Sequence, residues 1–328
     1  MYKRQIYCRK KGNLEAKEEV LIDANIMSEG YDYFRVGDIE ISPDDKVMAY
    51  SIDTLSRRIY TIYFMNLETR EVHKENIKNT SGSITWANNS KTLFYNLKDI
   101  KTLRTDRVMM HNFNSNSTDK EIFFEEDETF SVYSYKTKND KYIIIGSSAT
   151  LSQEFRYVSA DSPNKDFKIF QKRVNGLEYS IDHFDGKWFI RTNKDKATNF
   201  KLMICDENRT NKENWKDYIS HRQDVLLEDI DLFNNHLVIT ERKTGLRRIE
   251  IRPWKGGNSH YIEFEDEAYS LYSSTNLETN TNKFRYSYSS MTTPNSVIEY
   301  DMNSKEKIIL KETEVLGGKF DKNNYVSL

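Results

Sequence analysis

The sequence predicts an all-β fold: a seven-bladed β-propeller of four-stranded antiparallel blades, the first blade incomplete. Three observations carry this reading. The chain of 328 residues holds 21 Tyr and 17 Phe against 12 Gly and 4 Pro, with its aromatic and β-branched residues in short runs, as strands require. Sustained helical periodicity is missing; the best candidate, Leu14 to Ile22, is short and flanked by strand-like runs. Finally, a polar turn followed by an apolar strand recurs along the whole chain.

The turns come in order. Pro43-Asp44-Asp45-Lys46 precedes Val47, Asn88-Asn89-Ser90-Lys91 precedes Thr92, and Lys138-Asn139-Asp140-Lys141 precedes Tyr142. Asp185-Gly186-Lys187 then precedes Trp188, Asn234-Asn235-His236 precedes Leu237, and Thr281-Asn282-Lys283 precedes Phe284. The marks at 46, 91, 141, 187, 236 and 283 are 45, 50, 46, 49 and 47 residues apart, close to the roughly 40–50 residues of a four-stranded propeller blade.

Each unit fills with four strands. The first full one has strands around Ile39, Val47, Tyr60–Phe64 and Val72, and the next at Ile84–Trp86, Leu93–Tyr95, Val108–His111 and Ile122–Phe124. Val132–Tyr135, Tyr142–Ile145, Phe155–Val158 and Phe167–Phe170 follow, then Tyr179–His183, Trp188–Arg191, Leu202–Ile204 and Trp215–Tyr218. The last two units read Leu226–Leu232, Leu237–Thr240, Arg248–Ile251, Tyr261–Phe264, and Tyr269–Tyr272, Phe284–Tyr288, Val297–Tyr300, Ile308–Leu310. Gln5 to Arg9 and Glu19 to Ile22 supply two strands of a seventh unit. The propeller is expected over 1–316, with a partial first blade at 1–33 and six full blades at 34–316. Radial repetition lets each sheet bury both faces against its neighbours.

Composition narrows the function. Fifty-one acidic residues balance 49 basic ones, for a net charge of −2, which is no nucleic-acid footprint. No apolar run reaches the ~18 residues of a membrane span, and the N-terminus lacks the apolar core of a secretory signal. A cytoplasmic location is the default. Cys8 and Cys205 lie far apart in strand-like runs and read as reduced, half-buried core thiols.

No catalytic apparatus is complete. There is no G-x-S-x-G elbow, no Walker A loop and no Rossmann glycine pattern. The six histidines are scattered without ligand spacing, so neither metal nor cofactor is expected. Asp182-His183-Phe184-Asp185 reads as a strand running into an Asp185-Gly186 turn, with His183 on the opposite side from Asp182 and Phe184. The acidic run Glu125-Glu126-Asp127-Glu128 reads as a solvated loop between blades. Asp38 and Glu40 fall on one side of an innermost strand, a spacing that a glycosidase carboxylate pair would also use. Arg57-Arg58 follow Asp53-Thr54-Leu55-Ser56 in a loop joining two strands of one blade. Such a pair is either simply solvated or takes a carboxylate from a substrate or a facing domain.

Several segments, in order along nearly the whole chain, resemble one family. They are Ile6-Tyr7-Cys8-Arg9-Lys10-Lys11-Gly12, Val20 to Asn25, Ile41-Ser42-Pro43-Asp44-Asp45, Leu55-Ser56-Arg57-Arg58 with Tyr60, and Asn66-Leu67-Glu68-Thr69. The most specific are Tyr288-Ser289-Ser290-Met291-Thr292-Thr293-Pro294 and Glu314-Val315-Leu316-Gly317-Gly318 with Asn324-Tyr325. The sequence resembles the propeller domain of oligopeptidase B, the protease II branch of the prolyl oligopeptidase family.

The resemblance implies a propeller that caps an α/β-hydrolase domain of the same polypeptide and admits short peptides, cut after Arg or Lys. The catalytic serine, aspartate and histidine would then lie in that absent domain, with 317–328 as the start of the linker to it and both chain ends as cut points. It also implies that Asp32 corresponds to a carboxylate making an ionic contact with the hydrolase domain. Arg57 and Arg58 would face the same interdomain cavity. The chain alone is then expected to be inactive. The rival reading is a free-standing interaction scaffold of the WD-repeat type, which the lack of Trp-Asp strand ends disfavours.

Overall fold

The structure is a computed structural model and describes residues 4–318 and Asn324. Of the linker expected at 317–328, only Gly317, Gly318 and Asn324 are among them; Tyr325 lies outside. Among the described residues the strands form one two-stranded, four four-stranded and one seven-stranded sheet, all antiparallel. The chain divides into two compact units, Met1–Thr150 with Glu154–Phe170, and Leu151–Gln153 with Gln171–Leu328.

In the first unit, blade one is the pair Ile6–Lys10 and Glu18–Asp23. Leu14 to Ile22, the best helical candidate of the sequence, is a turn and a strand, in keeping with the strand expected at Glu19 to Ile22. The short helix comes one step later, at Ala24–Met27, where Asp23 caps the amides of Asn25 and Ile26. Blade two comprises Arg35–Ile41, Val47–Asp53, Tyr60–Asn66 and the first half of Val72–Trp86. Blade three takes the second half of that strand with Thr92–Lys98, Thr105–Asn112 and Lys120–Phe124. The sequence places two strands where one 15-residue strand runs through. The cluster Asn79-Thr80-Ser81-Gly82-Ser83 would end a strand by composition, yet the pairing continues through it: the register shifts between Thr80 and Ile84, with Asn79 at φ 61° and Gly82 at φ 97°. Blade four is Ser131–Lys136, Tyr142–Ala149, Ser152–Ser159 and Lys168–Gln171.

The second unit holds the three later blades. Blade five is Tyr179–Phe184, Lys187–Thr192, Lys201–Asp206 and Lys216–Ile219. Blade six is Val225–Leu232, His236–Lys243, Leu246–Pro253 and His260–Tyr261. Blade seven is Tyr269–Ser273, Lys283–Ser290, Ser296–Asp301 and Lys307–Glu312.

The repeat has a physical cause. The second strand of blades two and four is covered on both faces, so it reads as an unbroken apolar run rather than an alternating one, whereas that of blade seven, Lys283–Ser290, alternates. Val47–Asp53 is buried at every position. Val47 and Ala49 pack with Phe64, Trp86 and Leu93 of blades two and three. Met48, Tyr50 and Ile52 turn the other way, onto Ile22, Phe34 and Val36. In blade three Leu93 and Tyr95 join the former core, while Phe94 packs on Val132, Ile143 and Ile145 of blade four. The polar turns before these strands each place one residue in the left-handed region: Asp45 (φ 59°), Ser90 (φ 55°) and Asp140 (φ 58°). Aspartate and, less readily, serine tolerate that conformation. Side chains close the turns, as where Ser42 Oγ accepts from the Val47 amide at 3.0 Å.

Three local expectations meet the structure differently. Asp185-Gly186 forms the two-residue turn, both residues at positive φ, and His183 is buried edge-on against Trp188. The acidic run does join two blades, but Glu125 is buried against the Ser147 hydroxyl rather than solvated. Both cysteines are free thiols; Cys205 is buried while Cys8 is exposed, a correction to the half-buried expectation. Among the described residues Cys8 lies in a sheet of two strands.

In the second unit, burial lowers the pKa of His236, against hydrogen bonding from Asn303 and the charge of Asp301. It lowers that of His260 as well, helped by Lys305 and His236. The His260 ring nitrogen meets the Tyr300 hydroxyl at 2.8 Å. Both rings thus fold neutral, and the unfolded chain binds protons first. Their contribution is intact above the ordinary histidine value of about 6.5 and is lost as pH falls through the lower folded values. Thermal unfolding midpoints measured from pH 7.5 to 5 should fall, and His236→Gln should flatten that fall.

Candidate functional site

The connection between the second and third strands of blade two is a charged loop with two non-glycine residues at positive φ. It begins at Asp53, whose carboxylate is fully buried. One oxygen accepts from the Leu55 amide at 2.8 Å and the other from the Arg58 amide at 2.7 Å. This double cap holds Ser56 at φ 60° and Arg58 at φ 55°, backbone states that side-chain-bearing residues adopt at a cost. The loop is therefore built into one shape, and Arg57 and Arg58 stand exposed on it.

Beneath it lies Tyr60, clamped by two glycines. A Cβ on Gly37 would meet Ser51 Oγ at 2.4 Å and the Tyr60 ring at 2.8 Å, and one on Gly82 would meet that ring at 2.9 Å. Burial raises the Tyr60 phenol pKa; Arg35 and Arg58 pull against it, Asp53 and Tyr33 with it. Lys98, at the end of the second strand of blade three, donates to the Arg58 carbonyl at 2.7 Å. Its ammonium is held below the ordinary lysine range by burial and then by Arg58, with Asp53 opposing. Four cations thus gather about Tyr60 and its loop, Arg35, Arg57, Arg58 and Lys98, with one carboxylate already committed to backbone amides. Among the described residues none of the four has an ion-pair partner, whereas Arg104 nearby is fully engaged by the carbonyls of Glu125, Asp127 and Phe130.

Of the three residues singled out from sequence, Arg57 and Arg58 share this loop. Asp32 lies on the neighbouring one, exposed between the helix Ala24–Met27 and the strand Arg35–Ile41. No hydrogen bond or ion pair among the described residues joins it to the arginines. Sequence reading missed Arg35, Lys98 and the capping role of Asp53. Only the last had a signal, an Asp at a strand end two residues before an exposed loop.

The Asp38 and Glu40 pair is brought together, but not as a free acid and base. Asp38 accepts from its neighbour's amide, Ile39, at 3.0 Å and across to Ile84 at 3.1 Å. Burial raises its pKa against these bonds. Glu40 keeps contact with solvent, yet surrounding protein and then Asp38 push its carboxyl up to about 7, against Lys136. With both Asp38 oxygens held by amides, the arrangement positions two strands rather than a sugar. No group of three or more metal-ligating side chains gathers among the described residues, and no helix there is long and apolar enough to cross a membrane.

Asp53→Ala should remove both caps, cost about 1–3 kcal/mol, and speed amide exchange at Leu55 and Arg58 while leaving the strand amides protected.

Comparison with known proteins bears on the fold. The family described as "Prolyl oligopeptidase, N-terminal beta-propeller domain" matches residues 2–313. Dipeptidyl aminopeptidase BI of Pseudoxanthomonas mexicana is 38% identical over 313 residues, covering 95% of this chain and 43% of that protein. Protease 2 of Moraxella lacunata is 26% identical over 314 residues, covering 95% of this chain and 44% of its own length. The solved oligopeptidase B from Leishmania major superposes with a TM-score of 0.88 at 28% identity, over 97% of this chain and 47% of that one. The chain therefore spans less than half the length of these relatives, and the part it spans is the propeller. It belongs to the prolyl oligopeptidase family, as its N-terminal β-propeller domain.

Proposed function

We propose that this propeller is the lid of a serine oligopeptidase that cuts short peptides after Arg or Lys, the catalytic triad being supplied by an α/β-hydrolase domain of the same polypeptide. The observation that carries the reading is the match of the whole propeller to one domain of relatives named as peptidases, each more than twice as long as the matched segment. The propeller's part is steric and electrostatic. It excludes bulky substrates, keeps bulk water from the reacting groups on closure, and presents charged loops to what lies opposite. Asp32, Arg57 and Arg58 are the loop residues assigned to that role. The two free thiols fit a reducing, cytoplasmic setting.

The 38% identity to a dipeptidyl aminopeptidase favours a second form of the same reading, in which the free amino end of the peptide is also selected. One experiment separates them. The complete open reading frame containing this chain is expressed and offered short reporter peptides with Arg, Lys or Ala at the cleavage position, each with a free or blocked amino end. Cleavage after Arg and Lys irrespective of blocking supports the first form, and cleavage only of free-ended peptides the second. A reading frame that stops at Leu328, or a product with no preference for Arg and Lys, defeats the Arg/Lys peptidase proposal.

A further inference from the structure

We infer that His111 is a pH-operated latch between blades two and three. Its imidazolium ties the outer strand of blade two to the turn that follows His111 in blade three, and loss of one ring proton frees that turn. The latch is a device of the propeller itself and does not rest on the peptidase reading. All its parts lie within the first unit. His111 stands near the end of the blade-three strand Thr105–Asn112, with only 8% of its side chain exposed. One ring nitrogen, Nδ1, lies 2.8 Å from a carboxylate oxygen of Asp119, at the far end of the turn. The other, Nε2, lies 3.1 Å from Glu75 Oε1 on the strand Val72–Trp86. This second contact is one of charge: Nε2 is buried and has no aligned hydrogen bond. Phe64 stacks on the ring at 5.8 Å.

The arrangement suits the charged ring and not the neutral one. An imidazolium attracts both carboxylates, in a setting buried enough to escape most screening. A neutral ring carries a single proton, so it keeps one carboxylate and turns a lone pair on the other. Asp119 is the arm that holds, because the Tyr95 hydroxyl also donates to it, at 2.6 Å. Glu75 is the arm that lets go. Its contact with the ring is longer and unaligned, and its side chain is 24% exposed, so water can take the place of the ring. The other Glu75 oxygen accepts from the Asn114 amide at 3.0 Å. Departure of Glu75 therefore unfastens the turn, whose residues 114–118 are exposed, while Phe113 stays packed on Phe64. The latch is closed on the acid side of the ring's titration and open on the alkaline side. The titratable groups about the ring are Glu75 and His73 from blade two, Asp119 from the turn, and Tyr95 behind Asp119. His73 packs on Phe113 at 5.0 Å, so the test has to tell it from His111.

Solvent exchange of the Asn114 and Ser115 amides is followed by NMR in the 328-residue protein. It is scanned from about pH 5 to about pH 9, across the range in which histidine titrates, and corrected for intrinsic exchange at each pH. Protection of both amides should fall about tenfold or more toward high pH, the size of one charge-assisted contact. The amides of Thr92–Lys98 should keep theirs. His111→Gln has no ring proton to lose and should leave the turn equally open at every pH. Glu75→Gln is the independent second variant: its amide can donate to a neutral ring, so it too should abolish the fall. His73→Gln should retain the fall. The readout is local, so the opposite trend set by His236 and His260 in the second unit does not enter. The inference falls if wild-type protection is flat or rises with pH, if the fall survives in His111→Gln or in Glu75→Gln, or if His73→Gln removes it.

Discussion

Replacing Glu241 by alanine is expected to destabilise the second unit by about 3–5 kcal/mol. Glu241 sits on the second strand of blade six, at a position covered on both faces, and is fully buried. Burial alone would push its carboxyl up. Arg248, the Tyr261 hydroxyl and Arg222 all donate to it and hold the pKa below the usual range. The Tyr261 bond is 2.8 Å. Removing the carboxylate leaves two guanidinium groups and a phenol without their shared acceptor, which is the costly way to break a buried pair. Glu241→Gln keeps the shape and one acceptor oxygen, so it should cost less than alanine. Denaturant unfolding of the three proteins orders them. The linkage has a sign: because the folded pKa is lowered, this contribution is present above the ordinary glutamate value near 4.3 and vanishes as pH falls through the lower folded one. Wild type should therefore lose stability on strong acidification more steeply than Glu241→Gln.

The second large effect is expected at Gly82→Ala, which should cost about 2–6 kcal/mol. Two penalties add. The backbone stands at φ +97°, where a side chain is strained by about 1–3 kcal/mol. The new methyl would also enter the Tyr60 ring at 2.9 Å, and overpacking of this kind costs about 1–3 kcal/mol. Tyr60 has nowhere to retreat, since Gly37 closes its other side. Gly186→Ala makes the control: it too has positive φ, at 72°, but its added Cβ meets nothing within 4 Å, so it should cost only the backbone share. Equal losses at the two glycines would mean that ring packing contributes nothing.

The fold was almost fully legible because burial on both faces leaves a strong periodic mark. In blades two to six the second strand reads as an apolar run behind a polar turn, in blade seven it alternates (Phe284, Tyr286 and Tyr288 inward), and the turns anchor the spacing. What escaped was set by local detail. The continuous strand Val72–Trp86 carries a turn-like cluster at Asn79 to Ser83 that looks like a break, but its passage from one blade to the next is made by a glycine and a register shift within unbroken pairing. Burial of Glu125 depends on a hydroxyl from another strand of the fold, Ser147. The candidate site was half legible. Arg57 and Arg58 are adjacent and conspicuous, but Lys98 lies 40 residues away, and only the pairing of blade two with blade three brings it to the Arg58 carbonyl. Arg35 is likewise brought there by its pairing with Asp53 across the sheet.

The central claim is that this chain supplies a lid and no chemistry of its own. The direct measurement is cleavage of fluorogenic short peptides containing Arg or Lys by the purified 328-residue protein, with and without a serine-directed covalent inhibitor. The expected result is no turnover above buffer under either condition. Inhibitor-sensitive turnover that co-purifies with the folded chain would contradict the claim.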